Sequence, residues 1–218
     1  MDGMVTIGTG LDKGQSLIKM TSLIYNNLFI YRLLMNVLYL GKYTERFDDI
    51  IKLIDPKKEK FITELCYGDV HIAEWCKANS VNWTGIDINQ KFVNYAIKKG
   101  FNAICLDLKK ESAFPAVDTV IIAGSLYHFH GMLDEFLLKI MNSCSRLIIS
   151  EPIHNLSNSG GLIGRIASHS ANAGNGAEEF RYDKKELIKT LAELCGNRWI
   201  LHIVNDQKRD IILEVTWK

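Results

Sequence analysis

The sequence predicts an α/β fold, a seven-stranded and mostly parallel sheet with helices on both faces, and three observations carry that prediction. From residue 61 onward, short apolar runs of strand length alternate with amphipathic stretches of helix length. Acidic and glycine residues stand where those strands end, in Glu64-Leu65-Cys66-Tyr67-Gly68-Asp69 and in Gly85-Ile86-Asp87. The chain closes on two alternating runs, Trp199–Val204 and Ile211–Trp217, around the turn-like Asn205-Asp206-Gln207-Lys208. They read as a hairpin that adds antiparallel strands at one edge.

Taken in order, residues 1–15 are Gly-rich and polar, a loose end. Residues 16–54 read as helices. Thr21 or Ser22 could cap the apolar run Leu23–Leu40, and Gly41 could end it. A second helix runs from about Thr44 to Ile54 and stops at Asp55-Pro56. Phe61–Cys66 is the first strand and Val70–Ala78 the first helix of the alternating part. Trp83–Ile88, Gln90–Lys99 and Ala103–Leu106 continue the pattern. Val117–Gly124 is apolar, as a central parallel strand buried on both faces should be. Met132–Met141 is a helix, Arg146–Ser150 a fifth strand and Asp183–Cys195 a helix. Between the last two, residues 152–182 hold Gly160, Gly161, Gly164, Gly174 and Gly176, a long loop expected to act as a lid or substrate region. Residues 1–57 thus form an N-terminal helical cap segment and 58–218 the sheet domain.

Bulk composition narrows the function. The 218 residues are 47% hydrophobic and 23% charged, ordinary for a globular domain of this length. A formal net charge of +1, with lysines scattered singly or in pairs, gives no basic stripe for a nucleic acid. Five cysteines, none in a C-x-x-C pair, indicate buried thiols in a reducing compartment, and a cytoplasmic protein is expected. The N-terminus lacks the pattern of a signal peptide. Asn26, Asn27, Arg32 and Asn36 break the run Leu23–Leu40, so no transmembrane segment is expected. That run reads as a helix packed on the domain or lining its cleft, with attachment to a membrane surface as the alternative. A homodimer is left open.

In open α/β sheets the ligand lies beyond the carboxyl ends of the strands, near the point where strand order reverses. Glu64 is an acid inside an apolar strand, where an unpaired carboxylate is costly, so a cationic or hydrogen-bonding partner is expected. Gly68 lets the backbone turn close to a ligand, and the helix starting at Val70 offers free N–H groups. Asp87, nineteen residues past Gly68, suits the two hydroxyls of a ribose. Asp107 follows the third strand, where it meets an adenine amino group or simply caps a helix. Ser125, Tyr127, His128 and His130 follow the fourth strand. His128 and His130 form an H-x-H pair without a third ligand, and no metal is expected.

These motifs resemble the class I S-adenosylmethionine (SAM)-dependent methyltransferases over roughly residues 58–218. The family's first motif resembles E/D-x-G-x-G-x-G. Glu64, Gly68 and the spacing match it, while Cys66 and Val70 replace its first and last glycines. The resemblance implies a Rossmann-like methyltransferase fold and a cofactor site that includes Glu64 and in which Cys66, Tyr67 and Gly68 meet the methionine part. It places Asp87 with Ile88 at the ribose, Asp107 with Leu108 beside the adenine, and Ser125 at the site's edge. Val70 is the departure, since a β-branched residue where glycine lets the cofactor approach could weaken binding. The implied activity is methyl transfer (EC 2.1.1.-) from SAM, with S-adenosylhomocysteine (SAH) as product, to an O-, N- or C-nucleophile of a small-molecule acceptor. His128 is the candidate base, with Tyr127, Glu151 and His154 beside it. The Asn/Asp-Pro-Pro-Tyr-type motif of enzymes that methylate exocyclic or amide nitrogens is absent. The Tyr-rich N-terminal segment (Tyr25, Tyr31, Tyr39, Tyr43) would cap the cleft and choose an aromatic or lipid-like acceptor. A nicotinamide-dependent oxidoreductase would need G-x-G-x-x-G, of which only Gly68 is present. A methyltransferase-like protein that binds the cofactor or a partner without turnover is the remaining alternative.

Overall fold

The structure is a computed structural model that describes residues 28–111, 113–153, 180–206 and 209–217. The suggested caps Thr21 and Ser22, the start of the apolar run with Tyr25, Asn26 and Asn27, the glycine-rich stretch from 154 to 179 and turn residues Gln207 and Lys208 lie outside the described residues.

Two N-terminal helices come first, α1 (Leu28–Leu38) and α2 (Glu45–Ile51). Then β1 (Phe61–Leu65), α3 (His71–Ala78), β2 (Asn82–Asp87), α4 (Gln90–Lys98), β3 (Asn102–Cys105) and β4 (Val117–Ala123) follow in strict alternation up to β3. A 3₁₀ turn (Leu126–Met132) leads into α5 (Leu133–Met141), β5 (Cys144–Pro152), α6 (Lys184–Cys195), β6 (Trp199–Asn205) and β7 (Asp210–Trp217). Local chemistry sets several of these boundaries. The Asn89 side chain accepts from the Lys91 N–H at 3.0 Å at the start of α4, and the Asp183 side chain accepts from the Glu186 N–H at 2.8 Å at the start of α6. The second helix is shorter than its apolar pattern implies, because the chain leaves it in tight turns after Ile51.

All seven strands form one sheet in the order β3-β2-β1-β4-β5-β7-β6. β1, β2, β3, β4 and β5 pair in parallel, and β7 pairs antiparallel with both β5 and β6. The terminal hairpin therefore threads its second strand inside and leaves its first at the edge. Burial explains the choice: β7 is almost wholly buried along Asp210–Val215, whereas β6 is largely exposed.

Alternate residues of the central strands feed two cores, one on each face. Val120, Ile122, Leu147, Ile149 and Leu213 pack with α5 and α6 through Phe136, Leu137, Leu187 and Leu191. Ile121, Ala123, Ile148 and Ile212 pack on the opposite face with α2, α3 and α4 through Phe47, Ile50, Ile72 and Phe92. No helix among the described residues is long and apolar enough to cross a membrane. All five cysteines are free thiols; Cys76, Cys144 and Cys195 are buried, but Cys105 is exposed because β3 is the sheet's other edge.

One ionic network ties the N-terminal segment to the sheet. Arg146 on β5 donates to Glu214 on β7 at 2.8 Å, to the Leu53 carbonyl at 2.8 Å and to Glu59 at 3.1 Å. Glu59 is buried and also accepts from the Thr119 hydroxyl. Removing Arg146 leaves Glu59 buried without its cation, so Arg146→Ala is expected to lose about 2–4 kcal/mol of stability. Urea unfolding checks this, and a loss well under 1 kcal/mol would show that the network contributes little.

Candidate functional site

The strands after β1 build outward to β2 and β3, and those after β4 to β5, β7 and β6, so the order reverses between β1 and β4. A crevice is expected above the carboxyl ends of that pair, and a cavity of about 170 Å³ opens there. The segments leaving β1 and β2 contribute Cys66, Tyr67 and Gly68, then Asp87, Ile88 and Asn89. Those leaving β4 and β5 contribute Gly124, Ser125, Tyr127, His128 and Pro152. The N-terminal segment closes the other side with Tyr31 and Met35 on α1, Tyr39 in the turn after it and Arg46 on α2. Tyr43, expected with them, is instead fully buried in the core.

The turn after β1 organises one half of the cavity. Gly68 has φ +58, and its N–H donates to Asp87 Oδ2 at 3.2 Å. Asp87 Oδ1 accepts from the Asn89 N–H at 2.8 Å. Burial pushes the Asp87 carboxyl up to about 6, against the pull of those two N–H donors. A side chain on Gly68 would start 3.0 Å from the Tyr31 hydroxyl, so α1 lies directly over this turn. Arg32 pins it there, donating to both oxygens of Asp69 at 2.9 and 2.5 Å.

The two departures from the glycine motif have opposite characters. Val70 is completely buried in the core beside α3, is not among the cavity-lining residues, and has φ −96. A β-branched residue takes that backbone without strain, so the expected obstruction of the cavity does not arise. Cys66 does carry the unusual backbone, φ +52, and faces the cavity. Burial and the Asp87 carboxylate push its thiol pKa well up, so it stays a thiol.

Four of the sequence-derived candidates stand away from the cavity. Glu64 is fully buried on β1, and its partner is a hydrogen-bond donor: the Trp83 indole N–H at 2.9 Å. Its Oε1 has no partner, and burial pushes its pKa up to about 8. Glu151 is fully buried on β5 and accepts from the Leu126 N–H at 3.1 Å. It braces the 3₁₀ turn that presents Tyr127 and His128; burial raises its pKa to about 8 as well. Asp107 accepts from the Lys109 N–H at 3.2 Å and pairs with Lys110 at 3.1 Å, a turn-capping role, while Leu108 is in the core. β3 ends at Cys105, one residue earlier than its apolar pattern implies, and the turn that follows carries Asp107 and Leu108 aside. His154 lies outside the described residues. Tyr127 and His128 do reach the cavity, their rings 4.0 Å apart. His130 instead stacks on Phe180 at 4.3 Å.

Sequence reasoning missed three arginines. Arg46, Arg181 and Arg209 all line the cavity. Arg46 is 7% exposed and lies 4.6–5.2 Å from the rings of Phe47, Tyr43 and Tyr39. A side chain on Gly124 would start 2.5 Å from its guanidinium. Its position beside Phe47 and four residues before Ile50, on the apolar side of α2, was the available signal.

No family model and no curated protein sequence matches this chain. Solved structures do. The human N-acetylserotonin methyltransferase in complex with SAM is 15% identical with TM-score 0.61, covering 90% of this chain and 58% of that one. This chain therefore spans little more than half of that protein. The Synechocystis PCC 6803 magnesium protoporphyrin IX methyltransferase with bound SAH is 14% identical, TM-score 0.60, over 93% and 100% of the two chains. The plantazolicin methyltransferase BpumL, in complex with a pentazolic desmethylPZN analog and SAH, is 15% identical, TM-score 0.62, over 94% and 98%. The chain shares the Rossmann-like fold of these methyltransferases.

Two outcomes follow from the backbone and the buried acids. Cys66→Gly is expected to change stability by under about 1 kcal/mol, whereas Cys66→Val should lose about 1–3 kcal/mol at a positive φ; equal urea midpoints would refute the strain. Glu64 and Glu151 each hold a proton in the folded protein up to about pH 8 but release it near 4.5 when unfolded. Their raised values stabilise the fold fully below 4.5, and that stability is lost as pH rises towards 8. The thermal midpoint should therefore fall between about pH 4.5 and 8, the window of those shifts, and the Glu64→Gln, Glu151→Gln double variant should flatten the fall.

Proposed function

We propose that the protein is a SAM-dependent methyltransferase acting on a small-molecule acceptor. The observation that carries the proposal is the coupled pair at the switch point, a positive-φ glycine turn whose N–H is bonded to the Asp87 carboxylate. Such a turn leaves backbone room for the methionine end of a nucleoside ligand, and a strand-end carboxylate suits its ribose hydroxyls. Cys66, Tyr67 and Gly68 would hold the methionine part, and Asp87 the ribose. Ile88, Asn89 and Phe92, which line the same end, replace Asp107 and Leu108 as the neighbours of the adenine. SAM, when bound, supplies an electrophilic methyl group on sulfur and leaves as SAH.

This chain's own contribution is alignment and desolvation. α1 covers the turn through Tyr31 and the Arg32–Asp69 pair, which keeps water from one side of the cavity. On the other side the 3₁₀ turn, held by Glu151, presents Tyr127 and His128. The His128 imidazole suits removal of a proton from the acceptor's nucleophile as the new bond to carbon forms. Glu151 acts through the backbone of that turn and is a positioning residue.

Calorimetry with SAM and with SAH tests the proposal. Both should bind, and Gly68→Val and Asp87→Ala should each weaken binding by about tenfold or more. Unchanged affinity in both variants would place the site elsewhere. Asp87 accepts best as a carboxylate, so affinity should fall as pH drops through about 6, and Asp87→Asn should remove that dependence. Release of labelled product from a metabolite pool separates an enzyme from a protein that binds without turnover.

A further inference from the structure

The cavity lining carries charges of both signs, Asp87 and three arginines. Two of the guanidinium groups lie against the Tyr39 ring, Arg209 at 3.8 Å from its centroid and Arg46 at 5.2 Å. Arg181 stands 3.7 Å over the Tyr127 ring. A buried guanidinium is costly unless its donors are met. Arg46 donates one N–H to the Tyr39 hydroxyl oxygen at 3.0 Å, and that hydroxyl donates to Asp210 at 3.3 Å. Asp210 itself is 4.0 Å from Arg46. Arg209 spends an N–H on the Leu38 carbonyl, and its backbone carbonyl accepts from Ile153, which fixes it at the end of β5. Yet the Nε of Arg46 and the Nε of Arg209 are both buried without a partner. Asp210 is the acid that Arg46 and Arg209 share. Aromatic faces offset part of the cost of burying these cations but accept no N–H in their plane.

We propose that the acceptor is an anionic small molecule, a carboxylate or a phosphate-type group, seated at the Arg46–Tyr39–Arg209 cluster in the cavity with Arg181 beside it. The substrate class rests on the methyltransferase proposal above, whereas the anion site does not. A planar guanidinium presents paired donors that match two oxygens of either anion, which a lysine would not. The anion anchors the acceptor at this cluster, and its nucleophile points towards His128 and Asp87. The aromatic or lipid-like acceptor suggested by the tyrosines is narrowed by these charges: Tyr39 and Tyr127 serve as surfaces on which arginines are laid out.

The test uses the full chain, first alone and then saturated with SAH, titrated calorimetrically at constant ionic strength. The probes are benzoate, inorganic phosphate and benzamide, the last a neutral shape match for benzoate. At least one anion should bind about tenfold tighter than benzamide, and the better of the two assigns carboxylate or phosphate chemistry. Arg209→Gln and Arg181→Gln should each weaken that anion about tenfold while leaving SAH affinity unchanged. No preference for either anion over benzamide overturns the proposal. So does anion binding that survives both substitutions, or that vanishes on SAH loading together with loss of SAH affinity in Arg209→Gln, because the arginines would then serve the cofactor's own carboxylate. Arginine-dependent anion binding without any SAH binding would instead sink the methyltransferase proposal and leave the anion site standing. Should a variant fail to fold, the comparison of probes on the unaltered chain still decides.

Discussion

The turn after β1 is the constraint on which the rest of the site depends. Gly68 turns the backbone through a positive φ and gives its N–H to Asp87, so the ends of β1 and β2 are locked to each other. The next residue, Asp69, takes both donors of Arg32 and so fixes α1 across the same turn. Two consecutive residues thereby join the sheet's switch point to a helix that belongs to none of the crossover units. That pair, with the contacts of the Tyr31 ring on Phe92 and Tyr43, holds Tyr31 over Gly68.

What the sequence made legible was governed by local rules. Strands buried on both faces announce themselves as apolar runs: β4 ends one residue from its expected bound, and β5 contains the expected Arg146–Ser150 and runs two residues further at each end. The ends of helices α4 and α6 were readable from side chains that bond their own backbone. Long-range choices were not readable in this way. Whether β7 or β6 takes the interior place depends on burial summed over both strands and on the Arg146–Glu214 pair across 68 residues. Asp107 looked like a strand-end ligand because its spacing was right. A strand that stops early turns such a residue into a local cap, which spacing cannot distinguish.

The acids divide in the same way. A carboxylate in an apolar strand signals something specific, since burial without a partner is costly. That signal marked Glu64, but it does not say whether the partner is a ligand; Glu151, expected beside the candidate base, is a second buried strand acid. One found the Trp83 indole and the other the Leu126 backbone. Both are bound on one oxygen only and are held protonated near neutrality by burial. They behave as neutral hydrogen-bonding wedges behind the cavity wall, while Asp87, met by two backbone N–H groups, stays closest to an ordinary carboxylate and is the one at the surface of the cavity.

The arginines show where substrate choice resides in this architecture. The strand ends β1 and β2 shape one half of the cavity through backbone turns and leave little freedom there. The other half is built by pieces outside the βαβ succession: the N-terminal segment supplies Arg46 and Tyr39, the segment before α6 supplies Arg181, and the turn into β7 supplies Arg209. Threading β7 between β5 and β6 is what brings Arg209 and Asp210 to the end of β5, opposite Pro152, and so within reach of Tyr39. Had β7 taken the edge, Tyr39 and Arg46 would have lost their acid, and the buried guanidinium of α2 would be left with the Tyr39 hydroxyl and its aromatic neighbours. The strand order of the hairpin and the arginine cluster of the cavity are therefore one structural decision, taken where electrostatics and sheet topology coincide.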